Sequence, residues 1–473
     1  MSPSLASVSE VSKSVKKAQP KKPKRLKRWL LTIAVFLVIA AVVIVAALWL
    51  AGRNTYKVQP APSVAEATPA LRGPNDTGTV PDVEAAVAQA AANPALGNLA
   101  AQVTDLVSNT VVWNKSENQP MVPASSTKVL TAGAALLTLP NDQREVTTVT
   151  ETKPGTLVLS STGDVTLATE PGKGFFTDPA TISDLAGQVK KSLGDQKVSE
   201  IIVDNSVRSK DVFNSTWDPQ DIDGGNVADL DAVMLNAGRL DPSDPYSPRS
   251  HSPGEDVGEA LASALGATGA TVTLSDSAQD TQQGGNKILG TVKSAPLDVR
   301  LRDMMIHSDN LLAESIGRDV AAAMGKPTTF AGAAEATLEA LKNNGYPTEN
   351  VTLKDNSGMS KDNRLTAIAL NGVPAGEKTR EILDLLPVSS AEGTLANRYG
   401  SGSGAEAAAG WVRAKTGTLS GVSALVGTIM TADGRPLTFA FLSNGSEVDA
   451  ARTALDQLAA SLRNAKSGAP ATN

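Results

Sequence analysis

Residues 30–51 run for 22 positions without a charged side chain, LLTIAVFLVIAAVVIVAALWLA. At 1.5 Å per residue, a helix of that length crosses a hydrocarbon layer about 30 Å thick, where only a helix or a closed barrel satisfies its own backbone. The run therefore reads as one transmembrane helix, residues 29–51. Nine Lys or Arg and a single Glu precede it in residues 1–28. That basic flank predicts a cytoplasmic N-terminus, everything after Arg53 outside, and Trp29 and Trp49 near the two interfaces. A cleaved signal peptide is the alternative, but its apolar region spans about 7–15 residues. A retained anchor is the expectation, with cleavage near Ala51 left open.

The basic tail KKAQPKKPKRLKR would also suit a polyanion, yet no basic stripe with aromatics continues it, and no nucleic-acid partner is expected. Beyond residue 28 the balance reverses to 34 basic and 48 acidic residues. The chain has no cysteine and only two histidines, His251 and His307. Disulfide frameworks, cysteine nucleophiles and thiolate metal sites are excluded, and a histidine-rich zinc site has almost no material.

Residues 52–82, rich in Pro, Gly, Ala and Thr, read as a linker holding a domain off the membrane. Apolar periodicity then predicts a short helix over 83–92, strands over 98–105 and 109–114, and a buried helix over 126–139 that ends at Pro140. In that helix Ala132, Gly133, Ala134 and Ala135 would let neighbours approach closely. Short strands TLVLS and EIIVD alternate with turns between 148 and 294, and DPSDPYSPRSHSPGED reads as an irregular loop. Further helices are predicted over 254–266, 298–320 and 327–343. Strands over 424–431 and 436–442 precede a last amphipathic helix over 448–462.

Three short stretches can carry chemistry. In PASSTK, Ser125 lies three residues before Lys128, a spacing that brings hydroxyl and amine together on one helical face. A bland account serves as well, with a serine capping the helix and the lysine snorkelling to solvent. In HSDNLLAES, Ser308 and Asn310 precede an apolar helical run and would pass alone for a cap. In AKTGTL, Lys415, Thr416, Gly417 and Thr418 offer a cation, two hydroxyls and a glycine on a strand edge, where a peptide carboxylate could be held; a charged edge strand with a turn is the plainer reading.

In that order, S-x-x-K, S-D-N and K-T-G are the signature of penicillin-binding proteins and class A β-lactamases. The chain resembles the serine D-Ala-D-Ala carboxypeptidases of the S13 group, the PBP4-like class C low-molecular-mass penicillin-binding proteins. The 183 residues between Ser125 and Ser308 exceed the class A spacing, and the S13 group is similar in inserting extra structure there. TGDVTLA, DNSVRSKDVFNSTW, LKDNSGMSKDNRLT, LPVSSAEGTLANR, VRAKTGTLSGVSALVGTI and DGRPLTFAFLSN look like successive family blocks. Two departures stand out: the family's G-D-P reads Gly163-Asp164-Val165, and only about 20 residues separate Asn236 from the next helix, where a longer insertion is usual.

The resemblance implies an α/β (α+β) fold of the serine β-lactamase/transpeptidase type, an antiparallel sheet flanked by helices. Residues 83–147 and 295–465 would build the catalytic domain, 148–294 an inserted accessory region, and 466–473 a disordered tail. It implies Ser125 as nucleophile, Lys128 as its base, and Ser308 and Asn310 bridging Lys128 and Lys415. Burial and the Lys415 charge are the available causes for a depressed Lys128 pKa. Thr416, Gly417 and Thr418 would bind the substrate carboxylate with Lys415, and the N–H groups of Ser125 and Thr418 would form the oxyanion hole. No metal and no cofactor are implied. Peptidoglycan stem peptides are the implied substrates, β-lactams the covalent inhibitors, and the catalytic domain would stand on the wall side of the cell membrane. D,D-endopeptidase activity remains open. A β-lactamase is disfavoured because no E-x-x-x-N element stands in the expected place between the S-D-N and K-T-G stretches, and the complete residue set argues against a vestigial scaffold. Among lesser candidates, Asp355, Ser357 and Arg364 would shape the cleft rim, Asp164 reads as a turn residue or a partner for a diamino side chain, Trp411 as core, and His307 as packed or surface-exposed.

Overall fold

A computed structural model describes residues 80–208, 211–277 and 287–466. The anchor, the tail before it, the linker up to residue 79 and the C-terminal residues 467–473 lie outside them. Among the described residues no helix is long and apolar enough to cross a membrane.

In chain order the elements are α1 (Val83–Ala91), β1 (Asn98–Asp105), β2 (Thr110–Lys115), α2 (Lys128–Thr138), β3 (Val146–Lys153), β4 (Thr156–Ser161), α3 (Ile182–Leu193), β5 (Glu200–Asp204), α4 (Pro253–Leu265), β6 (Thr271–Ser275), β7 (Lys287–Lys293), α5 (Leu297–His307), α6 (Asn310–Ala323), α7 (Phe330–Asn343), α8 (Ala367–Ala375), β8 (Val412–Leu419), β9 (Val422–Met430), β10 (Pro436–Asn444) and α9 (Val448–Ser461). They form two five-stranded sheets.

The first sheet has the order β2-β1-β10-β9-β8 and is antiparallel throughout. Its middle strands read as near-continuous apolar runs because helices cover both faces. Side chains alternate between those faces. On β10, Ala440 and Leu442 join the core formed with Val129 and Leu130 of α2 and Leu370 of α8. Phe439 and Phe441 point the other way, into a core with Val87 of α1 and Leu455 and Leu458 of α9. Gly133 is what lets α2 and α8 meet, since a Cβ there would come within 2.8 Å of Val373 Cγ1.

The second sheet, order β6-β5-β4-β3-β7, is built wholly from chain between α2 and α5. Strands β4, β5 and β6 are parallel, and β3 runs antiparallel to both β4 and β7. Helix α3 makes the crossover from β4 to β5 that a parallel pair requires. It packs with α4 on the sheet through Leu185, Val189, Val257 and Leu261.

Three local readings of the sequence are corrected. The helix expected over 298–320 is two helices, broken where Ser308 adopts φ +57°. Asp309 then caps α6 by accepting from Leu312 N–H at 2.8 Å, an N-cap that starts a new helix more favourably than an aspartate sits inside one. The helix expected from residue 126 begins as a 3-10 turn, Ala124–Thr127, with α geometry starting at Lys128. Trp411 is 41% exposed rather than packed in the core, with the Arg463 guanidinium 4.0 Å above its ring.

Candidate active site

The turn Ala124–Thr127 presents three hydroxyls, and their hydrogen bonds separate them. Ser126 Oγ donates to Pro123 O at 2.7 Å and Thr127 Oγ1 to Ala124 O at 2.9 Å, both fully buried. They lock the turn. Ser125 instead lines the cleft, and its Oγ lies 3.1 Å from Lys128 Nζ. Two glycines press on this turn. A Cβ on Gly417 would stand 2.5 Å from Pro123 O, and one on Gly358, at φ +88°, only 1.9 Å from Ala124 O. Neither position admits a side chain unless the Ser125 turn or the segment facing it moves.

Lys128 is fully buried. Its Nζ also donates to Asn310 Oδ1 and to Ser357 O, each at 2.7 Å. Burial pushes its pKa down to about 8, against the pull of the Asp309, Asp355 and Glu314 charges. A poised neutral amine beside a hydroxyl is what serine activation needs. Lys415, equally buried, donates to Ser308 Oγ at 2.8 Å and to Thr416 O at 2.9 Å. Desolvation and then the Lys128 charge hold its pKa well below the lysine range. Ser308 thus engages Lys415, and Asn310 engages Lys128. For Lys128 burial is the resolved lowering cause; the lysine–lysine repulsion emerges on Lys415.

Strand β8 is an edge of its sheet. Ala414 N–H donates away from β9, to Pro387 O at 3.1 Å. Outward groups recur every second residue, so the N–H groups of Thr416 and Thr418 face the same outer edge. Thr416 Oγ1 donates to Thr394 Oγ1 at 2.9 Å, and Thr418 Oγ1 accepts from Arg452 Nη2 at 3.1 Å. Ser125, Ser308, Asn310, Thr416 and Thr418 line one cleft of about 1550 Å³, together with Trp217 and Tyr246.

Several neighbours carried no distinct signal in the sequence. Glu314, one turn beyond Asn310 on α6, is fully buried and accepts from Asn356 N–H at 3.0 Å and Ser357 N–H at 2.7 Å. It thereby holds the segment whose carbonyl grips Lys128, and burial raises its pKa to about 8. Asp309 is buried between Arg239 (2.8 Å) and Arg249 (3.4 Å), which hold its carboxyl well below the usual carboxylate range despite desolvation. Asn226 O accepts from Asn310 Nδ2 at 3.0 Å. Asp355 is not at the rim: it is buried, accepting from Trp217 Nε1, Gly358 N–H, Ser360 N–H and Asn363 Nδ2. Ser357 is buried too and contributes its carbonyl to Lys128, while Arg364 turns to the carbonyls of Lys361 and Asn363. Asp164 is buried, accepting from Thr166 N–H and Oγ1, so it is a turn residue. His307 lines the cleft with its ring 4.6 Å from Phe175.

Known proteins share both sequence and fold with this chain. It is 44% identical over 454 residues to carboxypeptidase DacB of Mycolicibacterium smegmatis, covering 92% of this chain and 97% of the relative. A carboxypeptidase of Mycobacterium tuberculosis is 40% identical over 401 residues, 82% of this chain and 85% of the relative. The crystal structure of penicillin binding protein 4 from Haemophilus influenzae superposes with a TM-score of 0.61 over 80% of this chain and 97% of that one, at 20% identity, which speaks for the fold alone. Residues 83–244 and 241–465 match the family described as D-Ala-D-Ala carboxypeptidase 3 (S13). With the serine, the two buried lysines and the edge strand all within those spans, the chain belongs to the S13 family of D-Ala-D-Ala carboxypeptidases.

Proposed function

We propose that the protein removes the terminal D-alanine from peptidoglycan stem peptides through a Ser125 acyl-enzyme. The observation that carries this reading is the 3.1 Å contact between Ser125 Oγ and the buried Lys128 amine, at the mouth of a cleft edged by β8. Neutral Lys128 takes the Ser125 proton as Oγ attacks the penultimate D-Ala carbonyl. The N–H groups of Ser125 and Thr418 stabilise the oxyanion as charge develops. As the C–N bond breaks, the proton taken up by Lys128 passes by way of Ser308 to the departing amine; water, giving a proton to Lys128, then attacks the ester, and that proton returns to Ser125 Oγ as the shortened peptide leaves. Thr416 and Thr418 hold the terminal carboxylate, Gly417 lets β8 lie close to the Ser125 turn, and the peptide runs along the outer edge of β8 as an added strand. β-Lactams acylate the same serine. The membrane anchor places this domain on the wall side as a single-pass protein, and residues 148–294 act as an inserted accessory region.

The cleft continues past Thr418 along Leu419, Ser420 and Val448, space for a leaving group larger than one alanine. That favours a second activity on D,D-crosslinks with the same nucleophile. Full-length protein incubated with a defined pentapeptide and with crosslinked muropeptide dimers, the products read by mass, tests both. Loss of one alanine is expected from the first and splitting from the second. Ser125→Ala should abolish both reactions together with labelling by a fluorescent penicillin. Labelling that survives Ser125→Ala refutes the assignment. Retention of the full chain in membranes after an alkaline wash tests the anchor, and its release there would refute it.

A further inference from the structure

Four arginines line the cleft, and three of them are committed. Arg239 and Arg249 are buried against Asp309. Arg398 grips Asp456 at 2.6 Å, and both are largely buried. Arg452, near the start of α9, differs: its side chain is 42% exposed, and it pairs with Asp449, 82% exposed, at 3.1 Å. An exposed pair of that kind contributes little, so the guanidinium can exchange Asp449 for another carboxylate at small cost.

Its second contact gives it a direction. Arg452 Nη2 donates to Thr418 Oγ1 at 3.1 Å. A hydroxyl that accepts from a guanidinium has its own proton free to donate elsewhere, and the outer edge of β8 is where it can do so. The lysines are poorly suited to hold an anion there. Lys415 is fully buried behind Thr416 and Ser308, and desolvation favours its neutral form. A guanidinium keeps its charge across the working pH range and matches a carboxylate with a planar fork.

We propose that Arg452 is the fixed cation that binds the substrate's C-terminal carboxylate, leaving Asp449 for it while Thr418 Oγ1 donates to the same group. This rests on the carboxypeptidase reading and adds to it a specificity-determining residue outside the three motifs. It makes a free carboxylate at the peptide's end the feature selected by α9 together with β8.

The test compares two probes on the full-length protein, an acyl-D-Ala-D-Ala peptide and the same peptide capped as its C-terminal amide. Arg452→Ala should lower kcat/KM for the free acid about 10- to 100-fold, chiefly through KM, and change the amide less than twofold. Arg452→Lys should restore part of the free-acid rate. An equal loss on both peptides would show a structural role, and an unchanged free-acid rate would show no role; either overturns the proposal. If the unmodified protein hydrolyses neither peptide, the carboxypeptidase reading itself fails and this inference falls with it.

Discussion

Replacing Gly358 by alanine tests whether the Ser125 turn is held by backbone contact. At φ +88° the added Cβ would sit 1.9 Å from Ala124 O and 2.5 Å from Ala124 C. Real Cβ contacts essentially never fall below 3.0 Å, so the two segments must part by about 1.1 Å. The obstacle is backbone, so no side chain can rotate away, and the left-handed conformation costs a non-glycine residue a further ~1–2 kcal/mol. Whichever segment yields, the site splits: one carries Ser125, and the other carries Ser357 O, which holds Lys128. Opening the 3.1 Å Ser125–Lys128 contact by about 1 Å takes it beyond hydrogen-bonding range. A misplacement of that size costs about 100-fold in rate, or ~2.7 kcal/mol of barrier. The assay is the rate of covalent labelling by a fluorescent penicillin, with thermal melting followed in parallel. Labelling within about threefold of wild type, in a protein of unchanged melting temperature, would refute the reasoning.

The acid limb of kcat/KM should report Lys128. Burial favours its neutral form, the form that the proposed mechanism uses as base, so activity should fall as pH drops below about 8 by about tenfold per unit. A profile flat from pH 6 to 9 would remove Lys128 as the base. Asp309→Asn removes a charge that pulls the Lys128 pKa up, so that limb should move to lower pH. The same change leaves the buried Arg239 and Arg249 unpaired at a cost of ~3–5 kcal/mol, visible as a lower urea midpoint; a stationary limb would contradict the electrostatic account. Asn310→Ala deletes the 2.7 Å acceptor of Lys128 and should slow acylation about 10- to 100-fold, whereas an unaffected rate would mean that Ser357 O alone positions the amine.

What the sequence made legible was local. Ser125 and Lys128 are three apart, and their meeting follows from helical periodicity. The near-continuous apolar runs of β9 and β10 follow from burial on both faces. That Ser308 and Lys415, 107 residues apart, share a 2.8 Å hydrogen bond was legible only through family resemblance, because pairwise distance is set by the sheet. The break between α5 and α6 was missed because MMIHSDNLLAES keeps an apolar helical rhythm across it. The available signal was Asp309, a good N-cap residue. Glu314 was missed for the opposite reason: a glutamate on a helix is normally a solvated residue, and nothing local says that two backbone N–H groups will be waiting for it.

The segment between β5 and α4 shows why an irregular stretch can matter as much as a motif. An asparagine amide can turn either end toward Lys128, and only its oxygen can accept from an ammonium. Asn226 O accepts a hydrogen bond from Asn310 Nδ2 at 3.0 Å, which turns Asn310 Oδ1 to Lys128. Arg239 and Arg249 come from the same segment and close on Asp309, the residue between Ser308 and Asn310. The middle of the S-D-N stretch is thus clamped electrostatically and its third residue is oriented by a hydrogen bond, both from chain inserted between the two halves of the first sheet. Ser308, flanked by His307 and Asp309, is left to face Lys415. Loops that show no periodicity therefore decide which way Asn310 points.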